Sequence, residues 1–326
     1  MKLLRLAPEN TNFGFMRFRR VSYPLSAALS IVSVVMFLFV GMNFGIDFAG
    51  GTQVDIRAKN GEAHIAEIRA KADSLGLGPV EVQQIGGGSD VLLRINVQPG
   101  GEQGDQTAIA KVREAFSNDY EFRSVDSVGP SVSAELVQSG TLGVVVAIIA
   151  VLTYLWFRFE WQFAVGAIIG TMHDLLLTVG FFCVTQLEFN QTSIAAILTI
   201  VGYSLNETVV VLDRIREMMR KYKRMSTADI VDMSVNAVLP RTIMTATTVF
   251  LALLALFFLG GHVIRSFSAA MIWGIFVATY SSIFICSPML IYMGVRADAF
   301  DRNREGDAVP AAETAARPPA KAQAKA

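Results

Sequence analysis

The sequence predicts a multi-pass α-helical membrane protein with six transmembrane helices and one α+β ferredoxin-like domain between the first and second of them. Three observations predict it. The 326 residues are 52% hydrophobic and only 17% charged, against roughly 25% charge in a usual soluble domain. The apolar residues fall in blocks of about twenty, the length a helix needs to cross the hydrocarbon core. Between the first two blocks the chain turns polar, and its periodicity changes to short alternating runs.

The first block, residues 25–44, follows an N-terminal segment of residues 1–24. It is too long for the apolar region of a secretory signal and no small-residue cleavage site follows, so it is expected to be a retained helix. Residues 45–135 form the polar domain. Residues 136–293 hold helices two to six, with blocks at Leu136–Phe157, Phe163–Val184, Ile194–Leu212, Thr242–Gly260 and Phe267–Met293. A basic loop is expected over 213–241. Residues 294–326 are rich in Ala, Pro, Lys and Glu and are expected to be a disordered tail.

Orientation follows from Lys and Arg in the short connections. Lys2, Arg5, Arg17, Arg19 and Arg20 precede the first span, and Arg214, Arg216, Arg220, Lys221, Lys223 and Arg224 follow the fourth. The tail is also basic, with Arg296, Arg302 and Arg304 among others. The alternate connections carry almost none: residues 185–190 have no Lys or Arg, and 260–266 have Arg265 alone. Both termini and the basic loop are therefore expected in the cytoplasm and the polar domain outside.

Within that domain, Thr52–Ala58 alternates as a strand and Glu62–Leu75 reads as a helix. Pro79–Ile85 and Val91–Val97 read as strands joined by a Gly86–Asp90 turn. Gln106–Phe116 is a second helix and Glu121–Val128 a last strand. The order βαββαβ is the split ferredoxin-like pattern, with helices on one sheet face and the other face free for a partner. His64, its one histidine, reads as a solvent-facing helix residue.

Several function classes are excluded. Formal net charge is zero, and no nucleic-acid partner is expected. Cys183 and Cys286 both lie in apolar blocks, so a structural disulfide is not expected. Three histidines without Cys or Glu at ligand spacing make no metal site, and no cofactor is expected.

Ionisable residues inside spans cost roughly 2.5–3.5 kcal/mol each on insertion scales, so each needs a reason. Glu207 lies in the fourth block, about 9 Å from its cytoplasmic end at about 1.5 Å rise per residue. Thr199, Tyr203, Asn206 and Glu207 share a side of that helix and form a polar stripe expected to face the bundle interior or water. A carboxyl in such a place is suited to bind and release a proton. Arg241, at the start of the fifth block, reaches to a similar depth; it either switches the proton affinity of Glu207 or snorkels as a helix-end anchor. His173–Asp174 sits mid-span in the third block, where Asp174 either joins the proton path or hydrogen-bonds to another helix. Asp213–Glu217 reads as an interfacial helix end with local ion pairs. Asp47 lies at the outer mouth, where glycines permit a tight turn. Gly166, Gly170 and Gly202 read as packing residues.

Six segments, in this order, carry a resemblance. They are Gly45-Ile-Asp-Phe-Ala-Gly-Gly-Thr52, Val128-Gly-Pro-Ser-Val-Ser-Ala-Glu-Leu136, His173-Asp174, Val201-Gly-Tyr-Ser-Leu-Asn-Glu-Thr-Val209, Asp213-Arg-Ile-Arg-Glu217 and Arg241-Thr242. Together they resemble the SecF family, the smaller subunits of the bacterial SecD–SecF protein-export complex, over residues 10–295. The resemblance implies a member of the resistance–nodulation–division superfamily in the bacterial cytoplasmic (inner) membrane. It implies a SecD partner, cooperation with the SecYEG translocon and contacts with YajC and YidC. Exported polypeptide chains would be the cargo and the proton-motive force the energy source. By motif, Glu207 and Arg241 take the places of the family's essential acid and arginine. The family most often has Asp where Glu207 stands, which changes the reach by one methylene. Asp174 would join the proton relay, and Asp47, Asn206, Asp213 and Arg214 support the motif match. The polar domain would be the periplasmic domain.

A six-helix chain without an internal repeat also reads as half of a two-part machine. The rival readings are a half-transporter of a small molecule or lipid, an intramembrane enzyme built on His173 and Asp174, and a scaffold. The first would need an aromatic cleft, yet Phe116, Tyr120 and Phe122 are nearly all the large aromatics the polar domain has. The second lacks a nucleophile or second histidine at that depth, and the third would have no use for Glu207.

Overall fold

The computed structural model describes residues 11–85 and 88–296. The expected tail thus lies outside the described residues except for 294–296, as does part of the Gly86–Asp90 turn. Among the described residues six helices are long and apolar enough to cross a membrane. They are α1 (Arg19–Phe39), α5 (Pro130–Arg158), α6 (Trp161–Thr185), α7 (Gln191–Lys221), α8 (Thr227–Leu259) and a broken helix made of α9 (His262–Ser281), a π turn (Ser282–Cys286) and α10 (Ser287–Tyr292). The short helix α2 (Ile46–Ala49) follows α1. Helices α6, α7 and the α9–α10 unit form the buried centre; α1, α5 and α8 present long rows of exposed apolar side chains, such as Leu38, Ile149 and Leu251.

The domain after α1 is a four-stranded sheet: β1 (Gly51–Ala58), β2 (Val80–Ile85), β3 (Asp90–Ile95) and β4 (Tyr120–Val128), ordered β2-β3-β1-β4 and wholly antiparallel. Helices α3 (Ile65–Asp73) and α4 (Glu102–Phe116) cover one face. Val54, Ile56, Val91, Leu93 and Ile95 pack there with Ile68, Ala108, Val112 and Phe116. This is the expected ferredoxin-like order. Helix α3 starts later than its periodicity predicts because Ala63 N–H donates to the Gly88 carbonyl (2.9 Å), which holds the preceding residues as loop. His64 is exposed at the α3 N-cap, as expected.

The opposite sheet face is not free, contrary to the sequence expectation. Gln53, Leu92 and Arg94 on that face are buried. Arg94 reaches the α1–α2 connection, where its Nη1 donates to Asn43 Oδ1 (3.0 Å) and to the Phe44 carbonyl (3.0 Å). Alternation of polar residues signals a strand facing something polar, and here that surface is the end of the bundle made by the α1–α2 connection and the connection before α7.

The links between domain and bundle are short. β1 follows α2 through Gly50, and β4 passes into α5 through Gly129. Gly51 turns the chain into β1 with φ +113°, and a Cβ there would run into the Ile95 carbonyl oxygen. Only glycine combines that backbone with that approach.

Two prolines, Pro288 and Pro240, leave helix carbonyls without their usual donor, and side chains of other segments supply it. Pro288 cannot donate to Phe284, so the helix widens into the π turn. Ser22 of α1 donates to the Phe284 carbonyl (3.2 Å) and Tyr23 to that of Ile285 (2.5 Å). Pro240 inside α8 frees the Asn236 carbonyl, which Thr11 Oγ1 reaches (3.4 Å). Helix α8 therefore runs through Pro240 rather than starting at Arg241. The stretch expected as a basic loop, 213–241, is helical through Lys221 and again from Thr227. Ile215, Met218 and Met219 bury the extension of α7.

Gly166 and Gly170 bring α6 close to Cys286 in the π turn, whereas Gly202 faces outward with nothing near its Cβ position. Cys183 and Cys286 are buried free thiols.

At the bundle centre, Asp174 on α6 is 1% exposed. Ser204 of α7 donates to its Oδ2 (2.5 Å), as does Ser281 of α9 (2.7 Å), and His173 Nδ1 lies 3.1 Å from its Oδ1. The carboxylate ties the three central helices together.

Two outcomes are expected in thermal unfolding of the detergent-solubilised protein. Asp174→Ala strands Ser204 and Ser281 and costs on the order of 3 kcal/mol, the scale of buried bonds to a charged group, while Asp174→Asn keeps an acceptor and costs clearly less. Gly51→Ala lowers the midpoint far more than Gly61→Ala, which shares a left-handed backbone (φ +77°) but has open space at the Cβ position; the latter costs roughly 1–2 kcal/mol.

Candidate functional site

Helix α7 begins with a capping box. Asn190 Oδ1 accepts from the Ser193 amide (3.2 Å) and Ser193 Oγ from the Asn190 amide (3.2 Å). The Gln191 amide donates to Asp47 Oδ2 (2.9 Å), so Asp47 supplies a carboxylate at the positive end of the helix. The helix then runs unbroken past Glu207.

Glu207 is 3% exposed. Both protein partners recorded for its carboxylate are hydroxyls from α8: Thr242 Oγ1 to Oε2 at 3.0 Å and Thr245 Oγ1 to Oε1 at 3.3 Å. The Thr245 hydroxyl has a single proton and also lies within reach of the Arg241 and Thr242 carbonyls, at 3.1 and 3.0 Å. Glu207 Oε1 therefore competes for its donor. The Tyr203 hydroxyl, one turn before Glu207 on α7, lies beside the hydroxyls of Thr245 on α8 and Thr279 on α9, and among the described residues the buried hydroxyl of Thr208 has no partner. A buried polar group left unsatisfied costs about 1–3 kcal/mol.

Arg241 precedes Thr242 on α8, so its backbone sits at the depth of Glu207. Its side chain is exposed, and among the described residues no ion pair joins it to Glu207. The structure thus brings the two to one level without closing the bridge. The expected polar stripe divides. Glu207 turns inward, while Thr199 and Asn206 lie on the exposed side of α7 beside Gly202. Asp174 is held by its own serines and makes no recorded bond to Glu207.

Asp213 pairs with Arg158 at the end of α5 (2.6 Å), and Arg216 pairs with Glu160 at the start of α6 (2.6 Å). Arg214 pairs locally with Glu217 (2.6 Å). These pairs lock the α5–α6 turn onto α7. Thr245 was not singled out in the sequence; the i, i+3 spacing of Thr242, Thr245 and Thr248 on an apolar helix was the readable signal.

The chain has relatives. Residues 108–296 match the family model "Protein export membrane protein SecD/SecF, C-terminal", and residues 35–62 match the "SecD/SecF GG Motif". The protein translocase subunit SecF of Rickettsia akari is 41% identical over 291 residues, covering 88% of this chain and 94% of that one. The protein translocase subunit SecDF of Brucella abortus is 42% identical over 308 residues, covering 94% of this chain but 40% of that one. The crystal structure of SecDF from Thermus thermophilus superposes with a TM-score of 0.80 at 32% identity, covering 89% of this chain and 40% of that chain. The chain thus spans less than half the length of the SecDF relatives and nearly the full length of the SecF relative. With a family model over more than half its residues and SecF relatives matched along nearly their whole length, this chain belongs to the SecD/SecF family of protein-export membrane proteins.

Proposed function

We propose that this chain is the SecF subunit of a bacterial protein-export machine that draws on the proton-motive force. It pairs with SecD and acts beside the SecYEG channel, with YajC and YidC as further neighbours, to draw out or release secreted chains on the outer side. In this reading it lies in the cytoplasmic membrane with both termini in the cytoplasm and the sheet domain in the periplasm.

The observation that carries the proposal is Glu207. A carboxylate at this depth, with two neutral hydroxyls as partners, is costly while charged and costs much less once it binds a proton. The Arg241 guanidinium lies at the same level, without an ion pair to Glu207. Loss of the proton leaves a negative charge that draws Arg241 inward; gain of the proton releases it. Each cycle shifts α8 against α7, and the direction of proton flow sets the order of steps. Asp174 serves this path by fixing α7 to α6 and α9, so that the shift is taken up between α7 and α8. The cycle requires no covalent chemistry.

The test is export of a model secretory protein in membrane vesicles holding this chain with its SecD partner and the translocon, with and without a proton gradient. Glu207→Gln is expected to remove the gradient-stimulated part of export, about ten-fold or more, with the complex still assembled. Glu207→Asp, still able to carry a proton, retains a measurable part of it. Unchanged stimulation in Glu207→Gln would leave Glu207 without a coupling role.

A further inference from the structure

The outer end of α7 is fastened to the sheet domain by more than the peptide chain. The Gly45 amide donates to the Phe189 carbonyl (2.8 Å), and the Phe189 amide to the Asn43 carbonyl (2.7 Å). Asn43 Nδ2 donates to the Gln186 carbonyl (3.0 Å), and Gln186 Nε2 to that of Gly41 (3.1 Å). Phe44 and Phe48 pack on Phe189, which also meets Phe182. A Cβ on Gly45 would run into the Glu188 side chain, so a larger residue there would push that carboxylate from its place beside Arg94. The connection after α1 and the connection before α7 therefore form one zipped unit.

Arg94 projects from β3 into that unit and is 8% exposed. Besides Asn43 and Phe44 on one connection, it reaches Glu188 on the other through Nη2 (3.3 Å) and Glu81 on β2 through Nη1 (3.3 Å). One guanidinium thus joins the sheet to both halves of the unit that starts α7. The acceptors are spread over two nitrogens of the fork, with Asn43, Phe44 and Glu81 sharing the two protons of Nη1 and Glu188 at Nη2, a spread that the single nitrogen of an ammonium does not match. Glu207 lies sixteen residues along the same helix, about 24 Å away at 1.5 Å rise per residue. An unbroken helix transmits a tilt over that distance.

We propose that Arg94, with Glu188 as its partner, is the positioning residue that couples movement of α7 to the sheet domain; this rests on the proton-driven reading of Glu207. When the contact between α7 and α8 changes at Glu207, the outer end of α7 shifts with its zipped connection, and Arg94 carries that shift into β3. Without the fork the domain is still tethered through Gly50 and Gly129, but it no longer follows the helix.

Three quantities in the vesicles of the full complex test this: assembly with SecD, proton movement through the complex, and gradient-stimulated export. Arg94→Gln is expected to leave assembly and proton movement intact and to lower the stimulated part of export about ten-fold, with Glu188→Gln acting in the same direction. Arg94→Lys, which keeps the charge without the fork, falls between Arg94→Gln and the native protein. Full stimulation in Arg94→Gln, where Glu207→Gln has none, would overturn the coupling role and leave the function of Glu207 standing. Loss of assembly, or of proton movement in step with export, would also overturn it, since Arg94 would then be a clamp for the fold alone. Normal stimulation in Glu207→Gln would instead remove the premise.

Discussion

A polar group surrounded by apolar side chains must find a partner within the protein, and this bundle is arranged around two carboxylates that meet the demand differently. Asp174 is answered fully: two serines and a histidine, drawn from α6, α7 and α9, surround it. Glu207 is answered in part, by two threonine hydroxyls of which one has competing acceptors. The first carboxylate makes a rigid core. The second leaves a site whose best partner depends on its charge, and it lies at the contact between that core and α8.

The same logic explains the broken helices. Pro288 and Pro240 free carbonyls in the middle of apolar helices, and Ser22, Tyr23 and Thr11 meet the freed groups or their neighbours from the N-terminal part of the chain. Helix α1 is thereby attached to the centre by specific bonds as well as by packing. At the end of the bundle nearest the sheet, Asp47 caps α7 while Arg94 holds the sheet. The domain sits on the bundle through short links and a buried guanidinium, an arrangement suited to passing on movement.

Much of this was legible in the sequence. The six spans follow from block length, and the βαββαβ order from alternation at Thr52–Ala58 and Val91–Val97 and helical stripes such as Ile109, Val112 and Phe116. The depth of Glu207 followed from its distance to Asp213. What was not legible depended on partners remote in sequence. The sheet face that carries Gln53 and Arg94 read as free because a strand shows the same polar alternation whether it faces water or a polar protein surface. Ser204 and Ser281 are small residues common in membrane helices, and nothing local marks them as partners of Asp174. Arg241 stood at the start of an apolar block, which marks where the side chains turn apolar and not where the helix begins; α8 starts at Thr227 and continues through Pro240, and the carbonyl this proline frees takes the hydroxyl of Thr11. The resemblance to the SecF family pointed to Glu207 and Arg241, while the threonines that hold Glu207 came from the structure.

The account turns on whether Glu207 exchanges a proton when the membrane is energised. Infrared difference spectroscopy on the reconstituted complex, with isotope-labelled glutamate and an imposed proton gradient, reads that directly. The account predicts a carboxyl signal that changes on energisation and is absent in Glu207→Gln. A spectrum in which Glu207 keeps one protonation state throughout, while export is still stimulated, would contradict it.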